Sequence, residues 1–146
     1  CFERFFLTVS PLYEEVLRVP LIMTVPGLTE PLSIDRQVRS IDIFPTLLAL
    51  VSVTPSEQVR SQLQGKNMFD TDSSPRDAVA ETEYRYYTFL KALRQVDPTS
   101  WKLIVNRETR THELFDLSLD PQEHHDLHMA AQDIASQLAE RLRGSE

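Results

Sequence analysis

Residues 19–25 (VPLIMTV) constrain this chain more than any other stretch, because they are almost wholly apolar over the length of one strand. Such a run predicts a strand buried on both faces, as in a parallel or mixed sheet. Pro20 stands near its start, and Pro26-Gly27 marks its end. Just upstream, residues 12–18 (LYEEVLR) put Glu14 and Arg18 at i and i+4, which predicts a short helical turn with these two side chains paired. A central strand needs covering layers on both sides. Much of that cover has to come from outside these 146 residues.

Further along, residues 36–40 alternate enough for a short strand. Ser40 is then the expected N-cap of a helix over 41–51, with Asp42 in the first turn, where the helix dipole favours an acid. Pro45 falls early, where a missing donor costs least, and Phe44, Leu47, Leu48 and Val51 form one apolar face. Residues 54–64 are polar, and Gly65 reads as a loop glycine at positive φ. The acidic, Ser-rich stretch 69–76 reads as a linker, which places a boundary between residues 1–70 and a smaller region, residues 71–146. Residues 78–96 read as two strands, and WKLIVN (101–106) with HELFDL (112–117) as a hairpin. Asp120, Pro121 and Glu123 fit the N-cap, N1 and N3 positions of a helical turn. Leu127, Ala131, Ile134, Leu138 and Leu142 then define the buried face of a terminal helix ended by Gly144.

Three of these stretches carry a resemblance. The first is Leu12-Tyr13-Glu14-Glu15, then Arg18-Val19-Pro20-Leu21-Ile22 and Pro26-Gly27. The second is SIDIFPTLLALVSV (40–53), with Ser52 where a glycine is usual. The third is Trp101-Lys102-Leu103-Ile104, then Glu113-Leu114-Phe115-Asp116-Leu117 and Asp120-Pro121-Gln122-Glu123. In order and spacing they are similar to the C-terminal portion of a sulfatase of the arylsulfatase type, within the alkaline-phosphatase-like superfamily. Gln64-Gly65-Lys66-Asn67-Met68 also resembles a turn of that family.

The resemblance implies an α/β fragment. Residues 1–70 would be the end of the large α/β sheet domain, with the buried strand 19–25 and the helix 41–51. Residues 71–146 would form a small C-terminal antiparallel sheet with a closing helix, an α+β arrangement. It further implies a hydrolase of sulfate esters that works through a formylglycine, made within a C/S-x-P-x-R motif, and a calcium ion. Neither is expected to be held by this chain. Cys1 is followed by Phe2-Glu3-Arg4-Phe5, without the proline and the spaced arginine, and Val9 and Ser10 stand where a Lys or His is usual. No catalytic, cofactor-binding or metal-ligating residue is therefore assigned here. The implied partners are a missing N-terminal catalytic portion of the same protein and a sulfated small molecule or carbohydrate. This chain alone is expected to be inactive, a scaffold and a wall of the substrate cleft.

The residues themselves exclude some classes. Fifteen Lys and Arg against 22 Asp and Glu give a formal net charge of -7, which argues against a nucleic-acid or anionic-membrane surface. No apolar run approaches the roughly 18 residues that span a bilayer. A single cysteine permits no internal disulfide, so compartment stays open. Residues 1–10 read as a short strand or the end of a helix. His124, His125 and His128 have the spacing to grip a metal from one helix face, beside Asp126, or to be solvated turn residues, the reading preferred. Glu14 and Glu15 are adjacent and point apart on a helix, so joint acid and base work is disfavoured. Arg18 reaches an active-site floor or packs beside the strand. Tyr84, Tyr86, Tyr87 and Phe89 suit a sugar-stacking platform or ordinary sheet packing, and Lys91 and Arg94 an anionic substrate or a solvated edge. Two rival readings remain: a related phosphodiester or phosphonate hydrolase sharing this tail, and a non-catalytic interaction module.

Overall fold

The structure is a computed structural model, and it describes residues 12–70, 76–84, 88–96 and 99–144. The readings of 1–10, of most of the 69–76 linker, of Tyr86 and Tyr87 and of some of the turn before Trp101 lie outside these residues. So does the side chain of Tyr84. The chain groups into two compact units, one holding the residues up to Pro20 together with Arg76 onward, the other Leu21–Pro75.

The first unit is built on a four-stranded antiparallel meander in the order β1-β2-β3-β4. Its strands are β1 (Ala78–Tyr84), β2 (Thr88–Arg94), β3 (Trp101–Asn106) and β4 (His112–Asp116). Register follows the period of two. Leu93 faces Leu103, which faces Leu114, while Arg94 faces Lys102, which faces Phe115. One face buries Leu93, Leu103 and Leu114 against Ala135, Leu138 and Leu142 of α4 (Gln132–Arg143). The other buries Ala92, Ile104 and Phe115 under Leu12, with Tyr13 and Leu17 packed alongside. That covering segment carries α1 (Glu14–Leu17), a helix of 4 residues. The sheet thus has a layer on each face, and α4 is locked at its far end by the Arg141–Asp77 ion pair. The edge of β4 is also occupied, since the Leu127 amide donates to the Leu114 carbonyl at 2.8 Å and the Leu114 amide to the Asp126 carboxylate at 2.9 Å. The small antiparallel sheet with its closing helix is therefore as expected, except that the helix starts at Gln132, leaving Leu127 bonded to the edge of β4 and Ala131 as the residue before the first turn, and that Gly144 ends it at φ -75.

The second unit carries a 3-10 turn (Ser40–Asp42) leading into α2 (Ile43–Leu50), and α3 (Glu57–Arg60). Several expectations fail here. Residues 19–25 form no strand, and Val19 is 74% and Ile22 92% exposed. A run apolar on both faces needs ladder partners and two covering layers, and none of the described residues supplies them. Its end is as expected: the Leu28 amide donates to the Val25 carbonyl at 3.1 Å across Pro26-Gly27, with Gly27 at φ 84 as a type II turn requires. Residues 36–40 form no strand either. Ser40 is not the cap. The Arg39 amide donates to the Asp42 carboxylate at 3.0 Å, so the acid closes the turn from inside. The expected face of α2 is turned out, with Phe44, Leu47 and Val51 exposed and Thr46 buried instead.

Thr46 is buried because its hydroxyl has two tasks. It donates to the Asp42 carbonyl at 2.6 Å and accepts the Met68 amide at 2.9 Å. Asp42 Oδ1 accepts the Lys66 amide at 2.9 Å, which fastens the 64–68 turn beside the 3-10 turn. Burial by itself would push the Asp42 carboxyl up; the Lys66 amide, the Arg39 guanidinium and the Arg39 amide outweigh it and hold the group below its usual value. With the folded value depressed, this fastening is fully present above the ordinary Asp range and is lost as pH falls from there through the depressed value. Gly65 is not needed for a positive φ. A Cβ there would lie 1.9 Å from the Ile41 carbonyl oxygen, so it is the close backbone approach that demands glycine.

Ser52 stands at φ 55 just past α2, and the Val53 amide donates back to the Leu48 carbonyl at 2.9 Å. This is the left-handed helix end that glycine ordinarily occupies. Ser52→Gly is expected to stabilise the second unit by about 1 kcal/mol, measured as a rise in urea midpoint; an unchanged or lower midpoint contradicts it.

Candidate functional site

The most organised polar site is a set of four charged side chains on the α1-covered face of the sheet. Alternation along β3 puts Lys102 on the same face as Ile104, so its ammonium is driven under α1 and is 0% exposed. A lysine so placed requires anions. Glu123 supplies one, with Oε1 2.8 Å from Lys102 Nζ, and is itself 1% exposed. Glu14 supplies the second, with Oε1 3.2 Å from the same ammonium and Oε2 3.3 Å from Arg94 Nε. The Glu14 amide also donates to Glu123 Oε2 at 2.6 Å. Two cations and two carboxylates balance to zero, and three segments far apart in sequence meet there: α1, the sheet, and the turn after Asp120.

Local structure explains each position. Glu14 lies in the first turn of α1, whose Tyr13 flank is anchored to the sheet by a 2.7 Å hydrogen bond from its hydroxyl to Glu113 and an edge contact with Phe115. Glu123 closes a tight turn, its amide donating to the Asp120 carbonyl at 3.1 Å, and holds φ 56. A side chain other than glycine in that region is strained, and the ion pair to Lys102 accounts for its persistence. The capping role expected of Glu123 is therefore replaced, because no helix starts at Pro121. Asp120 does accept the His125 amide, at 2.8 Å. Burial by itself would push the Asp120 carboxyl up; the His125 and His124 amides and the His125 ring together outweigh it and hold the group below its usual value.

Other candidates fall in separate places. The Glu14–Arg18 pair is not formed, since α1 ends at Leu17 and turns Glu14 to the sheet, and Arg18 is exposed. Glu15 is exposed as well. Arg94 is joined to Glu14, and Lys91 to Glu81 at 3.2 Å, so both basic residues face acids of the chain. Phe89 is exposed on β2. The histidines do not converge: His124 and His125 are exposed beside Asp120, while His128 meets the ring of His112 at 5.2 Å. Among the described residues no three His, Cys, Asp or Glu are grouped to hold a metal ion. These residues therefore do not fit a calcium site. No described helix is long and apolar enough to cross a membrane.

Both carboxylates are paired with cations, and the four charges join α1 and the 120–127 segment to the sheet. Lys102 is open to detection in the sequence, as one cation inside the otherwise apolar WKLIV run. Nothing local points to its partners.

Comparison with known proteins gives this site a context. Residues 3–146 match the family described as N-sulphoglucosamine sulphohydrolase, C-terminal. A protein named Sulfatase from Formosa agariphila is 29% identical over 123 residues, which cover 74% of this chain and 22% of the relative. The uncharacterized sulfatase YidJ of Escherichia coli is 29% identical over 123 residues, covering 81% of this chain and 23% of its own length. The chain thus spans less than a quarter of these relatives. Among solved structures, Ps i-CgsB superimposes with a TM-score of 0.58 at 22% identity, over 75% of this chain and 24% of that one. BT1596, described as a 2-O GAG sulfatase, does so with a TM-score of 0.50 at 24% identity, over 71% and 23%.

Proposed function

The chain belongs to the N-sulphoglucosamine sulphohydrolase C-terminal family, and from that premise we propose that it is the closing C-terminal module of a calcium- and formylglycine-dependent sulfate-ester hydrolase. Its role in the whole protein is scaffold and one wall of the substrate cleft; the nucleophile and the metal ligands lie in a preceding segment. The observation that carries this reading is the family match over residues 3–146. The exposed apolar side chains of the second unit, Leu21, Ile22, Phe44, Leu47 and Val51, support it, because so many exposed large apolar groups call for cover by further protein. The substrate class is a sulfated carbohydrate, a choice supported by the complex of Ps i-CgsB with k-i-k-neocarrahexaose and by the description of BT1596.

The test is the coding sequence upstream of Cys1. An in-frame C/S-x-P-x-R is the expected result. A Ser or Thr nucleophile with a two-metal ligand set would move the chemistry to phosphate esters and overturn the proposal.

A further inference from the structure

We propose that the His112–His128 pair is an acid-sensitive clasp that holds residues 126–128, and through them the start of α4, against β4. The two rings meet edge to face at 5.2 Å and 80°. His112 opens β4, and His128 lies in the segment that covers that strand's edge through the Leu127–Leu114 and Leu114–Asp126 hydrogen bonds. Asp126 Oδ1 also accepts the His128 amide at 2.8 Å, so that carboxylate oxygen is committed to two backbone amides. His128 Nδ1 is buried and has no hydrogen-bond partner.

With both rings neutral, this packing costs little. Protonation changes it in two ways. It gives a buried ring nitrogen an N–H with no acceptor, and it brings two like charges within the distance at which they repel. The charged groups facing His112 add to this: Arg143 from α4 is a cation throughout, and the His128 ring of the edge segment adds a like charge. Burial first, then His128, then Arg143, hold the His112 imidazole below its usual value. The docked state therefore binds fewer protons than the open one. The clasp is whole above the ordinary histidine range, near pH 6.5, and is lost as pH falls from there through the depressed value. Repulsion would act where α4 begins, since Ala131, whose amide bonds to Leu127, immediately precedes that helix.

Amide hydrogen exchange on the full chain between pH 7.5 and 5 tests this, with rates corrected for intrinsic pH dependence. Protection at Leu127 and His128 is expected to fall roughly tenfold more than at Leu103 in β3, with a midpoint below that of an exposed histidine. His112→Phe keeps an aromatic ring and should abolish the difference. Equal losses in both regions, a midpoint at or above that of an exposed histidine, or an undiminished difference in the variant overturns the proposal. Direct NMR titration of the His112 ring in the unaltered chain needs no variant. A midpoint below that of an exposed histidine is expected, and one at or above it is equally fatal.

Discussion

Replacing Lys102 by methionine lowers the stability of the sheet unit by about 3–5 kcal/mol. The reason is what stays behind. Glu123, 1% exposed, and Glu14 lose the ammonium that neutralises both, at 2.8 and 3.2 Å, while the Arg94 pair at 3.3 Å serves Glu14. Two carboxylates brought together by a hydrogen bond from the Glu14 amide to Glu123 must then repel, ionise less readily or pull the 120–127 turn open. Pairing Lys102→Met with Glu123→Gln should recover much of the loss, since it removes the orphaned charge and not merely a contact. Urea unfolding followed through the partly buried Trp101 reads both variants. A loss under about 1 kcal/mol for Lys102→Met would give this set only the worth of a surface pair and contradict the assignment.

Gly65→Ala is expected to cost about 3 kcal/mol in the second unit, at or beyond the upper end of ordinary overpacking. The new methyl would sit 1.9 Å from the Ile41 oxygen, 2.5 Å from its carbonyl carbon and 3.0 Å from the Asp42 nitrogen, all backbone atoms that cannot swing aside. Relief requires the 64–68 turn to retreat, which breaks the Lys66–Asp42 and Met68–Thr46 hydrogen bonds. Loss of exchange protection at the Lys66 and Met68 amides is the expected signature. Retained protection in the variant would show that the approach is looser than described.

Whatever has a short period is legible in the sequence. The strand-length runs WKLIVN and HELFD mark the hairpin, and the spacing of Ile134, Leu138 and Leu142 marks the terminal helix, whereas Leu127 and Ala131, expected on the same helical face, fall before its start at Gln132. What stays hidden depends on distant partners. Spacing matches Glu14 with Arg18, four residues away, because only near neighbours can be paired from a sequence; its partner Lys102 lies 88 residues on, and Glu123 is 109 from Glu14. Glu123 fits a helix cap by spacing, yet its backbone turns left-handed and sends the carboxylate inward. Gly65 suggests a positive φ, whereas the Ile41 carbonyl is what excludes a side chain. Residues 19–25 have a strand's composition without a strand's neighbours, so composition alone overstates them. The family resemblance rests on Trp101-Lys102 and Asp120-Pro121-Gln122-Glu123 among its motifs, and Lys102 and Glu123 are the two residues that meet in the buried ion set.

This segment is proposed to complete a sulfate-ester hydrolase without carrying its reactive groups. Calcium-dependent hydrolysis of an aryl sulfate, measured in parallel on this chain alone and on the polypeptide encoded by the same frame with its upstream sequence, tests it most directly. Turnover by the longer polypeptide and none above buffer by residues 1–146 is the expected result. Sustained hydrolysis by residues 1–146 alone, in proportion to their concentration, would contradict it, as would a longer polypeptide that cleaves phosphodiesters and leaves aryl sulfates intact.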